Sequence, residues 1–184
     1  MDAPNFVPDP AKEPLLCDAQ LLRRKHVLVE QVFAYYDQLA EYYRAHLTLP
    51  EPLFGPAKGW QFKAARGDNY HGLPYQVVDG PRRIHVNGNL FLRTCFVWTI
   101  GWSVHLIATG RWLPAVEGLL HTAALSSDLQ HERWLRASTV GDWAWALQHE
   151  RLAIGDANEL KLSYYFDSLQ PDPAAFVRAF GAVV

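Results

Sequence analysis

The sequence predicts an α+β fold in which a single antiparallel or mixed sheet packs against a long N-terminal helix and two or three further helices. Three observations carry the prediction. A broad apolar stripe at helical spacing covers residues 20–47, a meander of β-favouring runs broken by turn residues covers about 75–109, and helical patterns follow, interrupted by one more strand at about 160–166. Strands clustered together, and not alternating with helices, mark α+β in preference to a doubly wound parallel sheet.

The elements follow in chain order. Residues 1–19 hold Pro4, Pro8, Pro10 and Pro14 and read as an extended arm ahead of one globular domain at 20–184. The opening MDAPNFVPDP has neither a basic n-region nor an apolar h-region, so no signal peptide is expected. In the first helix Leu22, Val29, Phe33, Tyr36, Ala40, Tyr43 and Leu47 recur on one stripe, with Leu21, Leu28, Val32, Tyr35, Leu39 and Tyr42 beside it. Asp18 is the expected N-cap, and Pro50 and Pro52 end the run. The tyrosine pairs 35–36 and 42–43 place hydroxyls at the core edge or beside a cavity.

Residues 48–74 read as loop, with one short strand at Trp60–Ala64 and turn formers at Gly67, Asp68, Asn69 and Gly72. The Arg66-Gly67-Asp68 triplet carries no weight of its own. Tyr75–Val78 is a strand closed by an Asp79-Gly80-Pro81 turn, and Pro81 argues against a central strand crossing it. A hairpin turn at Asn87-Gly88 or Gly88-Asn89 joins Arg83–Val86 to Leu90–Trp98, and Gly101 separates the latter from Trp102–Thr109. Alternation puts Phe91, Arg93, Cys95 and Val97 on one face of the first long strand, and Ser103, His105, Ile107 and Thr109 on one face of the next. Both strands are apolar on both sides, so both sides are covered, and Arg93 and His105 need partners. Pro114 sits in the first turn of a helix at 113–124. Asp142 caps a further helix at 143–154 between Gly141 and Gly155, Leu160–Phe166 is a strand, and Asp172–Phe180 is the terminal helix.

Composition narrows the function. The chain has 184 residues, 49% of them hydrophobic, enough for one core without staples. Its net charge of -2, with no block of like charges, gives no basic footprint for nucleic acid. No apolar run is long enough to span a membrane, and a cytoplasmic location follows by elimination. Aromatics reach 13%, with seven Trp, and such side chains need a core, a ligand pocket or an interface to cover them. No dinucleotide-binding glycine motif, Walker loop or nucleophile elbow is present, so no cofactor is assigned.

The candidate site is the polar cluster Asp79, Arg82, Arg83, Arg93 and His105. In a structural arrangement Asp79 accepts from Arg82 or Arg93 and locks the turn. In a functional one Arg93 anchors an anionic or carbonyl-containing small molecule, His105 acts as general acid or base, and Asp79 completes the catalytic set. Arg82 then contributes to ligand binding, and a 66–74 lid supplies Asn69, Tyr70 and His71. A minor alternative is a mononuclear metal site of His85, His105 and Asp79, with His71 and His85 an equally weak pair. Cys95 with His105 is a minor nucleophile–base pair, because a neighbouring arginine would lower the thiol pKa. The competing class is a non-catalytic accessory or assembly protein, with Asp79 paired to the arginines and aromatics covering a homo-oligomer or partner interface.

Overall fold

The computed structural model describes residues 14, 17–70, 72–125, 135–137, 159–166, 169–170 and 172–181. Helix α1 (Ala19–His46) begins where the sequence predicts: the Asp18 carboxylate accepts from the Leu21 amide at 2.8 Å. A one-turn helix α2 (Glu51–Phe54) follows, and then strands β1 (Lys63–Tyr70), β2 (Leu73–His85), β3 (Gly88–Val97) and β4 (Gly101–Thr109). Helix α3 (Leu113–Leu125), the short strand β5 (Leu135–Ala137), strand β6 (Glu159–Tyr165) and helix α4 (Pro173–Gly181) complete the described elements. The strands form one sheet in the order β1-β2-β3-β4-β6-β5, antiparallel at every pairing. The architecture is therefore α+β with a single antiparallel sheet. Among the described residues no helix is long and apolar enough to cross a membrane. The helix predicted at 143–154, and all of the N-terminal arm except Pro14 and residues 17–19, lie outside the described residues.

The meander is longer than its turn residues suggested. The short strand expected at Trp60–Ala64 starts only at Lys63 and runs on through the stretch read as loop to Tyr70 as strand β1, paired from Lys63↔Asp79 to Tyr70↔Leu73, so residues 66–70 do not form a lid. Asp79-Gly80-Pro81 does not end β2. The strand continues to His85, and the β2–β3 register shifts between Asp79 and Arg82, as at a bulge. Proline fits there because β1 ends opposite Asp79, leaving no β1 carbonyl for which residue 81 would need an N–H. Glycine is required at 80, since a Cβ would run into the Phe62 ring. The next hairpin turns at Val86-Asn87, one residue before Asn87-Gly88 and two before Gly88-Asn89, with His85 opposite Gly88. The β3–β4 connection is Trp98–Ile100, with Thr99 at φ 67°.

One sheet face packs on α1 and α4. Tyr36, Leu39, Tyr43, Leu92, Val104, Leu106, Phe176 and Phe180 are buried in this core. Two tyrosines of α1 reach across to the sheet: the Tyr36 hydroxyl donates to the Gln76 carbonyl at 2.8 Å, and the Tyr43 hydroxyl bonds the Thr94 hydroxyl at 2.7 Å. Each thereby satisfies a polar group that the core would otherwise strand. The second face is also buried at its centre, as the two-sided apolar pattern of β3 and β4 required, but its composition differs.

Candidate functional site

The strand register places the polar residues of the second face side by side. Asp79 of β2 opposes Arg93 of β3, Arg93 opposes His105 of β4, and His105 opposes Ser163 of β6. Ile107 opposes Lys161 one step along, and Cys95 opposes Ser103 on the other side. Side chains at i and i+2 share a face, so Asp79, Arg93, Cys95, Ser103, His105, Lys161 and Ser163 all project the same way. His105, Lys161, Ser103 and Ser163 are each no more than 3% exposed.

Arg93 and Asp79 form a two-pronged ion pair, with Nε donating to Oδ1 at 2.6 Å and NH2 to Oδ2 at 2.8 Å. Planar guanidinium and carboxylate match in this geometry, which makes it among the strongest of charge-assisted bonds. Burial works against the charge of Arg93, and the Asp79 bond and charge more than offset it, holding its pKa above the usual value. The Phe91 ring lies 5.3 Å from the guanidinium carbon. The sequence expected a ligand-anchoring Arg93 to be unpaired with protein carboxylate; here its fork is engaged by Asp79.

His105 is held at both ring nitrogens: Nε2 lies 2.9 Å from the Ser103 hydroxyl and Nδ1 2.8 Å from the Ser163 hydroxyl. Burial, then the positive charges of Lys161 and Arg93, depress its pKa well below the ordinary histidine value. The ring is therefore neutral at pH 7, and each serine hydroxyl can complement it as donor or acceptor. Cys95 is wholly buried. Arg93 and Lys161 pull its pKa down, but burial outweighs them and pushes the thiol up to about 12, so it stays protonated and a poor nucleophile. Cys17 and Cys95 are both free thiols.

The other sequence-assigned residues do not join this cluster. His85 is exposed at the β2–β3 tip, where its Nδ1 accepts from the Asn87 amide at 3.2 Å. It pairs with Gly88 whereas His105 pairs with Arg93, a separation of roughly 16 Å along β3. Two histidines so placed cannot share a metal ion with Asp79. Among the described residues no group of three or more His, Cys, Asp or Glu side chains is placed to hold one. Arg82 lies beyond the bulge, with its Nε shielded from solvent and without a hydrogen-bond partner. Arg83 sits over Trp112, 5.8 Å from the ring centre. Asn69 is the penultimate residue of β1, where its side-chain oxygen accepts from the Gly72 amide at 3.2 Å, and Tyr70, the last, is buried against Val77, Cys95 and Val97. His71 lies outside the described residues. Sequence reasoning missed Lys161 and Ser163. Alternation in LKLSYYF put them on one face, but only the β4–β6 pairing identifies that face as the one His105 occupies.

Away from this cluster a groove of about 530 Å³ opens between α1 and the β3–β4 turn. Val32 and Tyr35 of α1 face Phe96, Trp98 and Trp102 across it, and Leu28 and Leu169 stand at its rim. The Tyr35 and Trp102 rings meet edge to face at 5.3 Å, and Phe96 lies 4.8 Å from Trp102. A smaller, polar cavity of about 220 Å³ lies between α1 and β1, lined in part by Lys25, His26, Arg66 and Asp68. Compared with protein-family models, curated proteins and solved structures, the chain matches none.

Proposed function

We propose that the protein works by binding a small molecule, and that Asp79, Arg93 and His105 serve its fold instead of a reaction. The supporting observation is that both candidate side chains are already engaged: Asp79 fills the Arg93 fork, and serines hold both nitrogens of His105. An anion anchor must present donors to its ligand, and a general base must present a ring nitrogen to the proton it removes. A partly buried bidentate pair and a buried imidazole hydrogen-bonded at both nitrogens instead tie four strands together, β2 to β3 through the ion pair and β4 to β6 through the ring.

A double-mutant cycle tests this. Arg93→Ala leaves Asp79 without its partner in a partly buried setting and is expected to lower unfolding stability by about 3 kcal/mol. The Asp79→Ala/Arg93→Ala double variant is expected to lose less than the sum of the two single losses, with a coupling of about 1.5–3 kcal/mol in denaturant unfolding. Single variants as stable as the wild type would remove the structural role. The convergence of Arg93, His105 and Lys161 on one face supports a second reading, a site for an anionic or carbonyl-containing substrate. That reading expects a small carboxylate such as oxalate to raise the Tm of the wild type and not that of Arg93→Lys.

A further inference from the structure

We infer that the groove between α1 and the β3–β4 turn is a binding site for an uncharged, flat, largely apolar molecule of one or two rings. The inference rests on the binding reading above and supplies it with a site and a ligand class.

Size is the first argument. A cavity of about 530 Å³ falls within the roughly 300–1,000 Å³ of small-molecule pockets. Ten of the described residues line it, against roughly 20–30 on each side of a standard protein interface.

The chemistry of the walls sets the ligand class. Trp98 and Trp102 have indole N–H groups that usually seek a partner, and here both are satisfied from within. Trp98 Nε1 donates to the Gln76 side chain at 3.0 Å and Trp102 Nε1 to the Leu169 carbonyl at 2.8 Å. The two indoles therefore offer the groove carbon surface and ring faces, not donors. Phe96, Val32 and Leu28 add only apolar surface. None of the described residues lining the groove carries a charge at neutral pH: none is Asp, Glu, Lys, Arg or His, and the Tyr35 phenol is neutral there, its pKa pushed up further to about 12 by burial, aided by Asp172. A charged ligand would lose its hydration and meet no counter-ion in the walls, whereas a neutral aromatic loses little and stacks on the rings. The cluster of Arg93 and His105 lies on the opposite face of the sheet, because Phe96 and Arg93 differ by an odd number of positions on β3.

Two fluorescent probes with one scaffold separate the possibilities: N-phenyl-1-naphthylamine, which is neutral, and 8-anilino-1-naphthalenesulfonate, which adds a sulfonate. The neutral probe is expected to bind the full-length protein saturably, one per chain, with a Kd of about 200 µM or tighter. The sulfonate is expected to bind about tenfold more weakly or worse. Val32→Trp, which fills the groove, is expected to weaken the neutral probe by about tenfold or more, with circular dichroism reporting its fold. Leu28→Asp, at a rim position 49% exposed and so without risk to the core, is expected to weaken it at least about fivefold. No saturable binding, equal affinity for both probes, or indifference to both substitutions would overturn the inference. So would a wild-type dimer in sedimentation that either substitution disperses, because a second copy would then occupy the groove. These outcomes leave the Asp79–Arg93 cycle untouched, so the failure of this site and the failure of the structural role given to Asp79 and Arg93 are distinguishable.

Discussion

Arg93 and His105 are the two ionisable residues on otherwise apolar strands, and burial gives each a different answer to the same problem. Arg93 stays charged because a carboxylate meets it at two points. His105 gives up its charge because burial strips its hydration and the charges it feels there, Lys161 and Arg93, are also positive. The consequence is a pH dependence of stability with a definite sign. The pKa of folded His105 is depressed, so below about 6.5 the unfolded chain takes up a proton that the folded chain refuses. Its contribution is complete above that value and is lost as pH falls below it toward the depressed folded value, with a slope approaching about 1.4 kcal/mol per pH unit. Urea unfolding between pH 7.5 and 5 is expected to show this slope in the wild type, reduced by that amount in His105→Gln; identical slopes would refute the assignment. That both residues are shielded at least in part and need partners was legible from alternation alone. Asp79 was also foreseen as the acceptor for an arginine. Ser103 was placed on the face of His105, but Ser163 was not, because it is 58 positions away in sequence and only strand pairing brings it near.

At the scale of elements, β4 is the strand on which the packing depends. All of its residues from Gly101 to Ala108 are buried, on both faces, and it carries neighbours on both edges. Helix α1 meets the sheet through tyrosines whose rings add apolar area and whose hydroxyls close polar gaps. Tyr43→Phe keeps the ring and strands the Thr94 hydroxyl, itself 1% exposed, and is expected to cost about 1–2 kcal/mol by thermal or denaturant unfolding. Thr94→Val in the Tyr43→Phe background should recover much of that loss, since both partners are then apolar. Helix α1 and its Asp18 cap follow from periodicity and capping chemistry, both local properties. The turns were less legible for a physical reason: Gly80-Pro81 and Gly67-Asp68-Asn69 are turn formers, yet a bulge and a strand end use the same conformational freedom. At Gly88 that freedom serves close approach, because a Cβ there would strike the Thr109 carbonyl.

For the whole molecule, a polar network on one sheet face and an aromatic core on the other frame the strand order. Amide protection should follow it. Native-state hydrogen exchange is expected to find the slowest amides in β3 and β4, opening only with global unfolding, and markedly faster ones in β1, an edge strand exposed along most of its length. Protection in β1 equal to that of β4 would contradict the burial pattern. Hydrophobic periodicity alone carried the α+β class, the long first helix, the covering of β3 and β4 on both faces and the need of Arg93 and His105 for partners, because a helical or alternating stripe is a local consequence of backbone geometry. Only the tertiary structure decided that β2 runs through Pro81, that His105 lies between serines of β4 and β6, that His85 stands far from it, and that α1 and the β3–β4 turn enclose an uncharged aromatic groove. Those outcomes depend on register and on which surfaces meet, and both arise from contacts between residues tens of positions apart.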